Sequence, residues 1–205
     1  MIPKHYVIEG RGNPKKLLML IHGYDANEYH LASLGPLMDP KEECLIVTPR
    51  APIKISERGV SWYDKDNKSE VTDRLSELDE LISSLCKSND FNRSDTIVGG
   101  FSQGAGLAIG LSFINNGLPP IKLCIPICGF LPPLEELDIN WQRAKATSYL
   151  AQFGTNDPYI SSERMGEMVS YFKDKDLSLT VETYDMGHDN TIESIQGIQK
   201  KLYTN

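Results

Sequence analysis

The feature of this sequence that most constrains its fold is a repeated alternation between short apolar runs and segments with helical periodicity. Continuous apolar runs such as Leu17–Ile21 suit strands that are buried on both faces of a sheet. These runs alternate with amphipathic stretches, and strands that alternate with helices are typical of parallel sheets covered by helices. The sequence therefore predicts an α/β fold with a mostly parallel central sheet.

The predicted elements follow one another along the whole chain. Strands are predicted where further apolar runs recur, at 44–47, 96–98, 121–127, 148–153 and 179–181, with an antiparallel edge strand at 6–8. Helices are predicted where apolar residues recur at helical spacing, at 70–88, 105–114, 165–172 and 192–202. Ser69 is the expected N-cap of the first of these helices. No linker divides the pattern, so residues 1–205 are predicted to form a single domain with helices on both faces of the sheet.

Composition and charge exclude several classes of function. Asp and Glu outnumber Lys and Arg by 28 to 21, which gives a net charge of −7 and disfavours a nucleic-acid partner. The N-terminus lacks the pattern of a signal peptide, and the longest apolar run is too short for a transmembrane segment. The cysteines read as buried thiols, and the pair Cys124 and Cys128 lacks partners at zinc-like spacing. We expect a cytoplasmic protein without a metal.

Two connections in the pattern are unusually long, and both leave the carboxyl end of a predicted strand. They cover residues 50–68 and 129–146. In open α/β sheets, ligands bind outside the carboxyl ends of the strands, and long loops there are often functional. We expect these two loops to form the walls of a pocket, because the chain is too short for a separate lid domain.

The segment Gly100-Phe101-Ser102-Gln103-Gly104 matches the pattern G-x-S-x-G. The match is weak by itself, and an ordinary glycine-rich turn is the alternative. A β-branched strand enters the motif, however, and a helix of small residues leaves it. A nucleophile elbow needs that context, because its serine lies at the tip of a sharp turn between strand and helix. The context favours Ser102 as the nucleophile of an α/β-hydrolase fold.

A serine hydroxyl needs an adjacent base that removes its proton. The four histidines are His5, His22, His30 and His188. In α/β-hydrolases the chain order is serine, acid, histidine, which leaves only His188. A solvated loop histidine would be the commoner interpretation of such a residue in isolation. Its position downstream of the serine motif makes His188 the predicted base.

The acid that orients the base must lie between the serine and the histidine, at the end of a strand. Asp157 directly follows the predicted strand at 148–153, and Pro158 fixes the turn. A plain Asx-Pro turn is the alternative interpretation. Asp185 and Asp189 are rival acids, but as sequence neighbours of His188 they are poorly placed to meet its ring. Asp157 is therefore the preferred acid.

An oxyanion hole uses the backbone N–H after the nucleophile and a second N–H from the loop after an early strand. These groups belong to Gln103 and, in the segment His22-Gly23-Tyr24, to Tyr24. His22 ends a buried strand, so we interpret it as a structural residue that holds this loop.

Three apolar residues are candidates for the substrate pocket. Trp62 either lines the pocket or packs in the core, and its sequence context favours neither. Phe130 and Leu131 follow the carboxyl end of a strand and are candidates for the acyl wall, with core packing as the alternative.

Taken together, the motifs resemble those of the small carboxylesterase/phospholipase family that includes the acyl-protein thioesterases. The resemblance runs nearly from end to end, and it is carried by His22-Gly23, Pro49-Arg50-Ala51-Pro52, Trp62-Tyr63-Asp64, the G-x-S-x-G segment, Gly154 with Asp157-Pro158, and Gly187-His188. It implies a lidless α/β-hydrolase that cleaves carboxylic esters or thioesters with the triad Ser102, Asp157 and His188 and without a cofactor. It also supports Tyr24 and Gln103 as oxyanion donors.

The sequence departs from the family pattern at a few positions. The loop after His22-Gly23 usually carries further glycine, and here it places the carboxylate of Asp25 near the oxyanion site. Ala105 stands at the position of a second glycine after the elbow, and Ser161 where a proline often follows the acid loop. None of these changes removes a catalytic group, but they bear on the choice of substrate.

The leading hypothesis is a serine hydrolase that acts on a small-molecule or lipid-like ester or thioester. The alternative is a non-catalytic ligand-binding protein on the same scaffold, because a fold does not dictate a function. A peptidase or a lactone hydrolase is a further option that no residue requires. The sequence is compatible with a monomer or a homodimer.

Overall fold

The computed structural model describes the backbone of residues 5–8 and, in full, residues 12–64, 67 and 69–204. The strands are β1 (His5–Ile8), β2 (Lys16–Ile21), β3 (Cys44–Pro49), β4 (Ile53–Lys54), β5 (Val60–Ser61), β6 (Ile97–Phe101), β7 (Leu123–Ile127), β8 (Ser148–Gly154) and β9 (Ser178–Tyr184). The helices are α1 (Glu28–Ala32), α2 (Gly35–Met38), α3 (Glu70–Asn89), α4 (Gln103–Phe113), α5 (Trp141–Ala146), α6 (Ser162–Asp174) and α7 (Ile192–Tyr203).

Seven strands form one sheet in the order β1-β3-β2-β6-β7-β8-β9. The edge strand β1 pairs antiparallel with β3, and the other neighbours pair in parallel. The predicted mostly parallel sheet and its antiparallel N-terminal edge strand are both confirmed. The remaining strands, β4 and β5, form a separate antiparallel hairpin.

Two hydrophobic clusters cover the two faces of the sheet. Because side chains alternate along a strand, Leu17 and Met19 of β2 join one cluster and Leu18 and Leu20 join the other. The first cluster includes apolar residues of α3, α4 and α6, and the second includes those of α1, α2 and α7. The chain is therefore a single-domain α/β fold with helices on both faces, as predicted.

Helix α3 has nearly the predicted bounds but lacks the predicted cap. Ser69 occupies the N-cap position with helical backbone angles (φ −63°, ψ −23°), and its side chain makes no capping hydrogen bond. The Ser69 hydroxyl instead donates to Oδ1 of Asn67, 2.8 Å away. An N-cap side chain reaches the first free N–H groups from an extended backbone, so the prediction that Ser69 caps the helix is wrong.

The two long connections stand at the carboxyl edge of the sheet, as their positions predict. The first carries the β4–β5 hairpin, and the second carries a 3₁₀ turn at Leu134–Glu136 and helix α5. Both contribute residues to one cavity, which is described below. No helix in the described part of the chain has the length and apolar character needed to cross a bilayer.

Helix α5, which ends the second connection, is anchored to the body of the domain by a buried charge cluster. Asp79 of α3 forms an ion pair with Arg93, and a guanidinium nitrogen of Arg143 lies 3.9 Å from the same carboxylate oxygen. Arg143 also donates to the carbonyl oxygens of Leu111 and Leu118. Asp79 thus balances two cations that the surrounding helices bury.

Replacing Asp79 with asparagine should lower the free energy of unfolding by roughly 3 kcal/mol, because two partly buried cations lose their counter-charge. Urea denaturation of wild type and variant at neutral pH measures the loss. Asp176→Asn is the control, since that carboxylate is exposed in its ion pair with Lys145 and should contribute less than about 1 kcal/mol. Equal losses in the two variants would contradict the role given to Asp79.

Candidate active site

Ser102 lies at the tip of a strained turn between β6 and α4. Its backbone angles are φ 53° and ψ −115°, which residues with a side chain rarely adopt. A Cβ added to Gly100 would lie 2.1 Å from the carbonyl oxygen of Gly104, and one added to Gly104 would lie 2.1 Å from that of Ile21. Only glycine fits these two positions. The sharp turn expected from the motif is therefore held by close backbone packing.

Asp157 and His188 come together from the turns that follow β8 and β9. Oδ2 of Asp157 lies 2.7 Å from Nδ1 of His188. The other carboxylate oxygen, Oδ1, accepts hydrogen bonds from the N–H groups of Tyr159 (2.8 Å) and Ile160 (3.0 Å). The Asp157 side chain is only 1% exposed, so these bonds replace its solvation.

The environment of Asp157 keeps the carboxyl group charged. Burial by itself would raise its pKa, but the hydrogen bonds from His188 and from the N–H groups of Ile160 and Tyr159 bring the pKa below the ordinary value of 3.8. A charged carboxylate can only accept a hydrogen bond, so Nδ1 of His188 carries the proton. The Nε2 atom is then left as the basic nitrogen of the ring.

The ring of His188 packs beside the serine turn. Its centroid lies 4.8 Å from that of Phe101, the residue directly before Ser102, and 5.0 Å from that of Tyr159. The predicted base and the predicted nucleophile therefore lie at the same corner of the sheet edge.

Both rival acids have other hydrogen-bond partners. Oδ1 of Asp185 accepts a hydrogen bond from the Asn156 side chain at 2.6 Å, which braces the turn that carries Asp157. Oδ1 of Asp189 accepts the N–H of Asn190 at 2.8 Å. Asp157 is the carboxylate hydrogen-bonded to the His188 ring, which favours it as the orienting acid.

His22 holds the loop that carries Tyr24. Its Nδ1 donates to the carbonyl oxygen of Gly23 (2.8 Å), and its Nε2 accepts the N–H of Ala51 (3.2 Å). Burial lowers the pKa of His22 to about 4, so the ring is neutral and both of its nitrogens are paired. This arrangement fits the structural role expected for His22 and leaves it no lone pair for use as a base.

Trp62 lies in the core, where it packs against the His22 loop. The residue is 1% exposed, its ring lies 5.0 Å from the His22 ring, and its Nε1 donates to the His22 carbonyl oxygen at 2.8 Å. It does not line the cavity next to Ser102. Of the two options that the sequence leaves open for Trp62, the structure selects core packing.

The two predicted oxyanion donors flank Ser102. Gly23 approaches the serine so closely that an added Cβ would lie 3.2 Å from Cβ of Ser102, and Tyr24 follows it. Gln103 is the first residue of α4, and it is 5% exposed. Both Tyr24 and Gln103 contribute to the cavity wall beside Ser102.

The cavity at Ser102 has a volume of about 810 Å³. The first connection supplies Ile53, Ile55, Ser61, Tyr63 and Asp64, and the second supplies Phe130, Leu131, Pro132, Pro133 and Glu135. Phe130 and Leu131, the candidates for the acyl wall, therefore have cavity-lining side chains. No lid domain is inserted among the described residues, and the two connections act as walls.

Sequence reasoning missed two residues of the cavity. Tyr159 is 70% exposed and packs edge-on against the His188 ring, and its position two residues after Asp157 was the available signal. Arg164 lies with its guanidinium carbon 4.9 Å from the centroid of the Phe130 ring. It comes from α6, and no motif marks it, because only the tertiary structure brings that helix to the second connection.

Cys128, Asp157 and His188 bring potential metal ligands within 4.8 Å of one another. Burial raises the pKa of the Cys128 thiol to about 12, and the charge of Asp157 adds to the rise. A metal needs the thiolate, and the other two side chains already share a hydrogen bond. Cys124, the other cysteine of the pair considered from the sequence, packs in the hydrophobic cluster on the face of the sheet opposite to that of Cys128. The absence of a metal stays a prediction.

The sheet and the strained serine turn define this protein as a member of the α/β-hydrolase class. A sequence model of the Phospholipase/Carboxylesterase family matches residues 3–205, and the chain belongs to that family. The family expected from the sequence motifs is thereby confirmed. Among curated proteins, MhqD of Bacillus subtilis (strain 168) is 29% identical over 192 residues, which cover 88% of this chain and 89% of MhqD.

Solved structures share the fold. The Bacillus cereus carboxylesterase superposes with a TM-score of 0.80 at 22% identity and covers 98% of this chain and 93% of its own. Esterase PE8 has a TM-score of 0.83 at 21% identity, with 98% of both chains covered. Arabidopsis thaliana SOBER1 has a TM-score of 0.76 at 16% identity and covers 91% of this chain and 97% of its own. Family and fold together indicate a hydrolase of the carboxylesterase/phospholipase type.

The structural role of His22 predicts a pH-dependent stability. Because its pKa is lowered from 6.5 to about 4, the unfolded chain binds a proton on this residue before the folded chain does. The stabilisation that the neutral, hydrogen-bonded His22 ring gives to the folded state is fully present above about pH 6.5. It is lost as the pH falls toward 4, because the unfolded chain then binds the extra proton. Between these two pH values, the free energy of unfolding of wild type should fall by about 3 kcal/mol more than that of His22→Gln. Urea denaturation at several pH values tests this, and identical pH slopes for the two proteins would contradict it.

Proposed function

We propose that this protein is a serine hydrolase that cleaves carboxylic esters or thioesters with Ser102, His188 and Asp157. The observation that carries the proposal is the 2.7 Å contact between Asp157 and Nδ1 of His188, next to the strained turn of Ser102. This pairing leaves Nε2 of His188 as a base, at the corner where a serine hydroxyl is exposed to a cavity.

In the first half-reaction, the Ser102 hydroxyl oxygen attacks the substrate carbonyl carbon while Nε2 of His188 accepts its proton. The carbonyl electron pair moves to the oxygen, and the N–H groups of Gln103 and Tyr24 stabilise that oxyanion. When the tetrahedral species collapses, the bond to the alcohol or thiol breaks. His188 gives its proton to this leaving group, and an acyl-serine remains.

In the second half-reaction, a water molecule takes the place of the leaving group. His188 removes a proton from the water, and the hydroxide attacks the acyl carbon through a second tetrahedral oxyanion. Collapse returns the proton to the Ser102 oxygen and releases the carboxylic acid. Asp157 stays charged throughout, because it stabilises the imidazolium that forms in each half-reaction. These proton transfers use the side chains alone, so we propose that no cofactor takes part.

The cavity supports a small-molecule or lipid-like substrate. The side chains of Ile53, Ile55, Phe130 and Leu131 provide apolar area next to Ser102. Esters and thioesters pass through the same kind of tetrahedral oxyanion, so one site serves both. The cysteines Cys44, Cys86, Cys124 and Cys128 are free and buried, which supports the proposal of a reducing, cytoplasmic location.

Labelling with a fluorophosphonate probe tests Ser102 as the nucleophile. Wild type should be labelled covalently and should hydrolyse a p-nitrophenyl ester, whereas Ser102→Ala should lose both, because the variant lacks the hydroxyl that attacks the phosphorus of the probe or the carbonyl carbon of the ester. Ser178→Ala is the control at an exposed strand residue and should behave as wild type. Equal labelling of wild type and Ser102→Ala rules out Ser102 as the nucleophile, and ester turnover by wild type no greater than by Ser102→Ala would favour the non-catalytic ligand-binding alternative.

Replacing Asp157 with asparagine should lower kcat by about 10⁴-fold, because a neutral amide neither fixes the Nδ1–H tautomer nor stabilises the imidazolium. Steady-state ester hydrolysis measures the effect. Asp185→Asn is the matched control, a rival carboxylate in the adjacent turn, and should change kcat by less than about tenfold. The assignment of the acid fails if Asp185→Asn is the more damaging change.

A further inference from the structure

The role of an oxyanion donor requires only the backbone N–H of Gln103, which any residue other than proline supplies. The amide side chain of Gln103 therefore needs a separate explanation. It is buried, and it points into a network of hydrogen bonds with the segment Val60–Tyr63 (the clasp segment).

The clasp segment satisfies both ends of the Gln103 amide. Oε1 of Gln103 accepts the N–H of Trp62 at 3.0 Å and lies 3.1 Å from the hydroxyl of Ser61. Nε2 of Gln103 donates to the carbonyl oxygen of Tyr63 at 2.9 Å. Ser61 and Trp62 are each 1% exposed, so water does not replace these bonds. An amide is suited to this position because it accepts and donates at the same time.

The clasp segment also holds the loop that carries the other predicted donor, Tyr24. The N–H of Val60 donates to the carbonyl oxygen of Ala26 at 2.8 Å, and Nε1 of Trp62 donates to that of His22, also at 2.8 Å. Tyr24 lies between these two attachment points. One segment is thus hydrogen-bonded to both sides of the predicted oxyanion hole.

We propose that Gln103 is a positioning residue whose side chain, through the clasp segment, fixes the distance between the N–H groups of Gln103 and Tyr24. This inference rests on the proposed function. Two donors stabilise one oxyanion only if both point at it, and a shift of about 1 Å in such a group costs up to about 100-fold in rate. Ser61 and Tyr63 also line the cavity. If the clasp segment only shaped the wall against which the substrate binds, its disruption would raise KM and leave kcat unchanged.

Gln103→Met tests the proposal, because methionine has a similar length and forms no hydrogen bonds of this strength. We expect kcat to fall at least about tenfold with KM within about twofold of wild type. The affinity for an alkyl trifluoromethyl ketone, which forms a tetrahedral adduct with an oxyanion, should fall by the same factor as kcat/KM. Trp62→Phe, which removes the Nε1 donor to the His22 carbonyl oxygen together with part of a buried ring, should lower kcat in the same direction.

Gln152→Met is the matched control for the loss of a buried glutamine network. Gln152 is 0% exposed, and its Nε2 donates to the Ser194 carbonyl oxygen (2.8 Å) and to the Glu182 carboxylate (3.0 Å). This variant should lower Tm comparably without the loss of kcat. Ser61→Ala removes the hydroxyl beside Oε1 of Gln103 but keeps the N–H of Trp62 as a donor to that atom. Its effect should therefore be smaller, with an expected loss of about threefold in kcat.

The outcomes separate this inference from the proposed function. If wild type turns over esters above the Ser102→Ala background but Gln103→Met raises only KM, or lowers only Tm as Gln152→Met does, the positioning role is wrong and the proposed function stands. An unchanged affinity of Gln103→Met for the trifluoromethyl ketone has the same meaning. If wild type shows no turnover and no labelling, the proposed function itself is wrong.

Discussion

The site depends first on close backbone packing where β6 ends. Gly104 lies so near the carbonyl oxygen of Ile21 that no side chain fits between α4 and β2, and Gly100 is equally confined by Gly104. These two glycines let the backbone pack closely around the strained turn of Ser102, and Ser102 lines the cavity. The parallel pairing of β8 with β9 is the second requirement. It places the turns that follow these two strands, which carry Asp157 and His188, at the same edge of the sheet.

Two histidines near this edge show that the surroundings of a residue decide its chemistry. His22 is buried between backbone groups that pair with both of its nitrogens, and its pKa is lowered to about 4. His188 instead has a carboxylate on one nitrogen, which leaves the other nitrogen basic. The same side chain is inert at one position and suited to proton transfer at the other, which supports the proposed division of roles.

The sequence was sufficient where the signal is local or periodic. Apolar runs predicted the parallel strands, and the motifs taken together, with their strand and helix context, predicted the family and the turn of Ser102. It failed at Ser69, where the backbone angles before a helix decide whether a side chain caps it. It left Trp62 undecided because burial of an aromatic ring depends on the loop that packs over it. Arg164 was missed because its helix and the Phe130 loop are distant in sequence.

Periodicity and motifs of a few residues gave the family, the residue types available for chemistry, the seven strands of the sheet along the chain, and helices α3, α4, α6 and α7, but not the short elements α1, α2, α5, β4 and β5. Only the tertiary structure decided that the carboxylate of Asp157, and not that of Asp185 or Asp189, meets the ring of His188. It also decided that the Gln103 amide joins the clasp segment. The physical reason is that hydrogen bonds between distant turns depend on how the sheet brings those turns together, and neighbouring letters in a sequence do not record that geometry.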